Sequence, residues 1–243
     1  MRTVYVLLLA IGLTAADIHA APDPAGKIPA PERLQDAMWQ SGRLQDFKLE
    51  GFLHITTAKG KDLYHAVTMR TRDRLMVFEF NDRALQIRVI FMPNGSVIQR
   101  RQSADRDWEL VAGKDRLARI LDSDIAYEDL ALDFFRWSTV KPVGTDSILT
   151  LPAWCYESTP PIVSNYAKIR FWISSEYLAV LRADAYNADQ QVVKRVEVNG
   201  VMKIEDTYTI KEMMVSTMMP GRDLSQSRTY IELRKGQKGA SGL

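Results

Sequence analysis

The residue types that carry chemistry are few in this chain, and they are scattered. His54 and His65 fall on separate segments, Cys155 is the sole cysteine, and Asp122, Asp124, Glu128 and Asp129 form a short acidic group. A zinc site needs histidine or cysteine donors at converging spacings, and neither His-x-x-x-His nor a Cys-His pairing surrounds these positions. The acidic group lacks the Asp-x-Asp-x-Asp-Gly pattern with a distal Glu that a calcium loop requires, so helix capping and solvation are its better reading. A cysteine nucleophile needs a base beside it, and neither His54 nor His65 lies near Cys155 in sequence. The chain has no Gly-x-Ser-x-Gly, no phosphate-cradling glycine loop and no dinucleotide fingerprint. These residues predict no enzyme, no metal and no cofactor; a hydrolase would rest only on scattered carboxylates and histidines.

What the chain holds in surplus is apolar bulk. Its 10 methionines, 8 phenylalanines and 5 tryptophans sit in a sequence that is 46% hydrophobic. Methionine repacks around irregular partners and aromatic walls suit acyl chains, although the same side chains also serve as plain core. With 32 basic against 30 acidic residues, the net charge is +2. Basic residues are interleaved with acids and no dense basic run with stacking aromatics occurs, which argues against a nucleic-acid partner.

The elements that must position this bulk are mostly strands. From Ala153 to Val198 the sequence reads as a β-meander punctuated by Pro160-Pro161, Ser174-Ser175 and Asn187-Ala188-Asp189. Within it Ile169, Phe171 and Ile173 alternate with polar residues, the period of a strand with one dry face. Trp172 breaks the alternation and is expected on the outer face, as a contact for a partner. Earlier, strands are expected over 49–57, 63–71, 75–80 and 85–92, with Asn94-Gly95 turning the last antiparallel onto 96–101. A short strand at 108–111 precedes helical patterns at 114–121 and 123–137, the second capped by Asp124. Lys141 to Thr145 reads as a loop. A second Asn-Gly, Asn199-Gly200, is expected to turn the 192–198 strand onto 201–204, and strands at 207–218 and 227–234 close the chain. An amphipathic helix from Pro31 to Ser41, stopped at Gly42, must rest on this sheet.

The fold expected is mainly β: a strongly curved antiparallel sheet, an open or incomplete barrel, with two or three helices plugging its concave side. If that concavity encloses an apolar cavity, its expected lining is Val77, Ile87, Val89, Phe91, Tyr127, Leu130, Phe134, Ile169, Phe171, Ile173 and Met214.

The termini carry an address. Arg2, an apolar run from Val4 to Ala16 and Ile18-His19-Ala20 before Ala21 read as a secretory signal peptide over 1–20, too short to serve as a membrane anchor. A Pro-rich tether follows over 21–31, one domain over 32–235 and a disordered Gly-rich tail over 236–243. An exported chain with one cysteine has no internal disulfide to rely on, and Cys155 is expected packed in a strand.

Several motifs resemble the LolA-like superfamily, in particular its outer membrane lipoprotein-sorting group. They are Ser123-Asp124-Ile125-Ala126-Tyr127-Glu128-Asp129-Leu130, similar to that group's SDFSYEDL; Cys155-Tyr156 leading to Thr159-Pro160; Ile169 to Ile173 before Leu178; Tyr208 to Lys211; and Arg228-Thr229. The sequence departs from the group in having Ile125 and Ala126 for Phe and Ser, Ser174 where an Asp is usual, and Ala188-Asp189-Gln190 where the turn is often Asp-Gly. The resemblance implies an open barrel with a helical lid, and a periplasmic carrier that shuttles lipid or lipoprotein acyl chains between the inner and outer membranes. It also implies an inner-membrane transporter of the ABC or resistance-nodulation-division type as donor, and an outer-membrane acceptor. The other function open at this point is a non-catalytic accessory or sensor module of an envelope transporter, with the cavity collapsed.

Overall fold

The computed structural model describes residues 28–40, 44–93, 95–204 and 207–235. The expected signal peptide, residues 21–27 of the tether, the helix stop at Gly42, Asn94 of the first Asn-Gly pair and the tail lie outside the described residues.

Helix α1 (Pro31–Gln40) leads into six strands: β1 (Leu44–Thr56), β2 (Asp62–Asp73), β3 (Leu75–Phe80), β4 (Leu85–Met92), β5 (Gly95–Arg101) and β6 (Glu109–Leu110). A connection follows with a 3-10 turn at Gly113–Leu117, the short helix α2 (Tyr127–Ala131) and a second 3-10 turn at Asp133–Phe135. Seven strands complete the chain: β7 (Lys141–Ile148), β8 (Leu151–Ser158), β9 (Lys168–Ser174), β10 (Val180–Tyr186), β11 (Val192–Ile204), β12 (Thr207–Met218) and β13 (Ser225–Lys235). All thirteen form one antiparallel sheet in the order β6-β5-β4-β3-β2-β1-β13-β12-β11-β10-β9-β8-β7. Two meanders are therefore fused at their first and last strands, and β6 and β7 are left as free edges. Strand twist curls so wide a sheet, and it stays unclosed.

This order decides where the connection goes. It leaves the sheet at one edge, after Leu110, and must re-enter at the opposite edge, at Lys141. It does so by crossing the concave face. Ile120, Ile125, Leu130, Phe134 and Phe135 of the connection are buried in one apolar cluster with Leu53, Met76, Val89, Phe171 and Ile231 of the strands. Helix α1 joins them from the N-terminal side through Leu34, while the Tyr156 hydroxyl donates to the Pro29 carbonyl (2.9 Å) and the Gln35 amide to that of Trp137 (3.1 Å). The described residues contain no helix long and apolar enough to cross a membrane.

Four local expectations are corrected. Lys141 to Thr145 is the first half of β7 rather than a loop, because Pro142 and Gly144 sit on an edge strand whose outer side needs no ladder partner. Asn199-Gly200 makes a bulge inside β11 rather than a turn; Gly200 is not among the positive-φ glycines, and the strand runs on to pair Ile204 with Thr207. The expected helix at 114–121 is the 3-10 turn at Gly113–Leu117 followed by an isolated bridge between Arg119 and Ala126. The expected helix at 123–137 shrinks to α2, which Leu132 ends at φ 47°. Leu121 (φ 50°) and Asp122 (φ 58°) share that left-handed conformation. Non-glycine residues there cost about 1–3 kcal/mol each, so tertiary contacts, not helix propensity, shape the connection.

On the outer face, Trp172 is buried in a satellite cluster with Ala153, Cys155 and Leu181. Its indole Nε1 donates to Asp146 of β7 (2.9 Å) and its ring lies under the Arg182 guanidinium at 5.0 Å, so the chain itself covers it. Burial pushes the Cys155 thiol up to about 11, which keeps it protonated and inert at neutral pH.

Where β1 meets β13, Gly51 has no room for a side chain: an added Cβ would stand 1.7 Å from the Glu232 carbonyl oxygen. Gly51→Ala must push the two strands apart and should lower stability in urea titrations by about 1–3 kcal/mol or more. An unchanged midpoint would show that the seam between the two meanders is not the tight contact described.

Candidate functional site

The candidate site is the concave face, which the connection covers like a lid. Its apolar part is aromatic. Phe134 lies 5.1 Å and Phe135 6.4 Å from Phe171, ring centre to ring centre, and Tyr156 stacks on Phe171 at 5.7 Å. Phe171 comes from the middle of β9, where alternation turns Ile169, Phe171 and Ile173 inward, and the phenylalanines arrive on the 3-10 turn that follows the left-handed Leu132.

Beside this cluster lies a cavity of about 50 Å³, lined by Leu132, Phe134, Trp137 and Ile162 on the lid side and by Ile169, Ala183, Ala185 and Val196 on the sheet. Small residues on β10 leave the space that larger ones would fill. A second, wholly apolar void of about 20 Å³ sits between Leu130, Ile125 and the β1–β3 wall. A void of the first one's size takes only a few water-sized groups with the lid in place.

Four acidic side chains of the lid turn inward. Asp124 is 1% exposed and accepts hydrogen bonds from the hydroxyls of Thr217 (2.5 Å), Ser227 (2.5 Å) and Thr229 (2.8 Å), while its own N–H donates to Thr229 (2.8 Å). It clamps the lid to β12 and β13 instead of capping α2, whose N-cap is Ala126. Glu128 accepts from the Ser164 hydroxyl (2.7 Å) and the Asn165 N–H (3.1 Å), both on the loop between β8 and β9. Asp129 caps α2 from within by accepting the Ala126 N–H (2.6 Å), and it also receives the Tyr166 hydroxyl (2.8 Å) and the Lys194 ammonium (2.5 Å). Asp133 is gripped by Arg116 (3.1 Å), by Arg136 and by the Ser96 hydroxyl (2.9 Å).

Burial raises Glu128 above the usual carboxylate range, with the Asp129 charge adding to it and the Ser164 hydroxyl opposing. Burial lifts the Tyr166 phenol well above its ordinary range, helped by Asp129. Burial also pulls the Arg136 guanidinium down, against the favourable pull of Asp133.

Of the residues expected to line a cavity, Phe134 and Ile169 border the larger void and Leu130 the smaller. Ile87, Val89, Tyr127, Phe171 and Ile173 lie in the apolar cluster without bordering either, and Phe91 packs on its margin under Arg136. Val77 is buried on the other side of β3, between Arg70 and Arg88 in register, and half-buried Met214 stands opposite Tyr230 and Glu197 on the outer face. Sequence reasoning missed Arg116, Asp133, Tyr166, Ala183, Ala185 and Lys194. The one available signal was the acidic spacing Asp124, Glu128, Asp129 on an otherwise apolar stretch. His54 and His65 are not brought together: His54 pairs with Asp62 (3.0 Å) and stacks on Tyr64, whereas His65 meets Asn81 (2.9 Å). Among the described residues no group of three or more His, Cys, Asp or Glu is placed to hold a metal ion.

The family model described as "Uncharacterized protein" matches residues 104–238, more than half of the chain and the whole stretch from lid to last strand. The chain belongs to this family. No curated protein matches it in sequence. Among solved structures it is similar to a DUF1329 family protein from Desulfovibrio piger, with TM-score 0.71 and 21% identity over 87% of this chain and 93% of that one. A candidate outer membrane lipoprotein-sorting protein domain from Vibrio parahaemolyticus gives TM-score 0.68 and 13% identity over 87% and 95%. A LolA superfamily protein from Nitrosomonas europaea gives 0.56 and 10% over 79% and 84%. At these identities the likeness is one of fold, and the fold is LolA-like.

Two expectations test the lid contacts. Asp124→Ala removes hydrogen bonds to a charged group that are worth about 1.5–3 kcal/mol each, so it should cost about 3 kcal/mol or more and speed hydrogen exchange over 120–135. Equal exchange in variant and wild type would mean the clamp does not hold the lid. The raised Glu128 gives a pH dependence. Its contribution is fully present below the ordinary glutamate range and is lost as the pH climbs through the raised folded value, because the unfolded chain releases its proton first. Protection of α2 amides, taken relative to their intrinsic base-catalysed exchange rates, should therefore fall as the pH rises above about 4 in the wild type, and Glu128→Gln should flatten that component; wild-type protection that does not fall contradicts the assignment.

Proposed function

We propose that the protein is a non-catalytic periplasmic carrier that takes the acyl chains of a lipid or lipoprotein against its concave face and moves them between the inner and outer membranes. Residues 1–20 direct export and are removed near Ala20. An inner-membrane transporter, of the ABC or resistance-nodulation-division type, hands over the cargo and an outer-membrane site receives it.

The observation that carries this reading is the combination of an apolar concave wall with a lid fastened by polar contacts. Exposing an acyl chain to water costs about 0.8 kcal/mol per methylene, so a carrier must supply an apolar wall and still release the chain. Buried charged clasps suit release: Coulombic gain and desolvation nearly cancel in them, so a lid held this way parts at less cost than one sealed by side-chain packing alone. The cavity of about 50 Å³ is too small for an acyl chain, and loading requires the lid to swing away from Ile169, Ala183 and Ala185. The names of the Vibrio and Nitrosomonas structures, lipoprotein-sorting and LolA superfamily, support the same reading through a shared fold.

The small cavity also favours a second reading, in which the protein is an accessory or sensor module of an envelope transporter that keeps the fold without carrying cargo. Mass spectrometry of lipids extracted from protein exported with its own leader separates the two. A carrier should yield bound amphiphile at close to one per chain, and the delipidated protein should take up oleate with micromolar or better affinity. Protein that purifies without lipid and stays unable to bind oleate even when Asp124→Ala loosens the lid would leave only the second reading.

A further inference from the structure

The charges around the cavity are not evenly matched. At one end Lys194 faces Asp129 directly, with Glu128 adjacent. At the other end two guanidiniums share a single carboxylate: Arg116 and Arg136 both bind Asp133, with side-chain exposures of 14% and 10%. Arg116 spends its remaining Nη on the Ser96 carbonyl (3.1 Å), and Arg136 reaches the Ser96 hydroxyl (2.6 Å) and the Ala131 carbonyl (3.2 Å). The Nε of each arginine is buried with no hydrogen-bond partner. A buried donor left unmade costs about 1–3 kcal/mol, more on a charged group, and two cations on one anion leave an excess positive charge in a poorly solvated place. Arg116 also lines the cavity, next to Leu132, Phe134 and Trp137.

We propose that Arg116, backed by Arg136, receives the anionic head of the bound amphiphile, a phosphate or carboxylate, while its chain runs along Phe134 and Ile169. The proposal rests on the carrier reading and adds polarity to it: the cargo enters with a fixed direction, head toward Arg116 and Asp133, tail toward the small residues of β10. An oxyanion there offers a partner to the unpaired Nε of Arg116, which lines the cavity, and balances the second guanidinium, and arginine's planar fork fits both oxyanion types. The same residues explain a coupling. The two guanidiniums also hold the Ser96 carbonyl and hydroxyl of β5, and the anionic head competes for them with Ser96 as with Asp133, so a bound head weakens the lid's grip on β5, and loading loosens the lid that must later release the cargo.

The test compares ligands that differ only in the head. Delipidated full-length protein is titrated with oleate, with oleyl alcohol and with inorganic phosphate, for the wild type, Arg116→Gln and Arg116→Lys, each checked for a cooperative melt. The wild type should bind oleate at least about tenfold more tightly than the alcohol, as one charge-assisted hydrogen bond implies, and Arg116→Gln should bring that ratio to within about twofold. If the Gln variant does not fold, the ratio is read on Arg116→Lys, where it should fall by about threefold because the point charge stays and the fork is lost. A ratio unaltered by either substitution overturns the anion site. Inorganic phosphate displacing oleate at equal concentration overturns the headgroup and assigns the arginines to a free anion. Binding of neither amphiphile by the wild type rejects the carrier reading itself, a result distinct from an unaltered ratio.

Discussion

The structure depends on one constraint: a chain that exits an open sheet at one edge and re-enters at the other has to cross the concave face. Residues 111–140 make that crossing, and every feature of the site follows from how their backbone and carboxylates are satisfied once out of water. The segment is too irregular to satisfy its own polar groups, with a helix of only five residues and three non-glycine residues at positive φ. It borrows partners from the walls instead. Hydroxyls on β12 and β13 serve Asp124, the β8–β9 loop and β11 serve Glu128 and Asp129, and β5 together with the segment's own arginines serves Asp133.

That borrowing sets the energetics of the lid. Aromatic contacts between Phe134, Phe135 and Phe171 press it onto the sheet, whereas the ionic clasps sit near balance between attraction and lost solvation. A lid sealed only by apolar packing would be hard to open, and one held only by exposed ion pairs would not stay shut. The mixture gives a closed state that differences in protonation or in competing anions can shift. Glu128, pushed toward its neutral form by burial and by the neighbouring Asp129 charge, belongs to this balance, since the hydrogen bonds from Ser164 and Asn165 pull the other way and favour its ionised form.

The outer face shows the opposite solution. There the strands β7 to β11 carry interleaved charges, with Asp184 held by Arg182 and Arg195 and Glu157 by Lys168 and Arg170. These rows cover Trp172 and Cys155, and the edge strand β7 completes the cover through Asp146. A bulky residue on a polar face thus finds its partner within the chain, through a strand whose Pro and Gly disguise it as a loop.

By itself the sequence determined the strand content and the succession of neighbouring hairpins, because both are written in short-range signals: a period of two, and turn residues between runs. It also determined that Ile169, Phe171 and Ile173 share a face, which is a matter of parity. Asn199-Gly200 marks the edge of that legibility, since such a pair permits positive φ without imposing it, and the long ladder with β12 kept the strand going. Only the tertiary structure decided where the acidic side chains of the lid point. Asp124, Glu128 and Asp129 have the same local pattern whether they solvate a helix or clamp it. Their partners lie far away along the chain, at Thr229, Ser164 and Lys194, and no local period records such a distance. The pairing of β1 with β13 brought those partners within reach, and that closure is a property of the whole sheet.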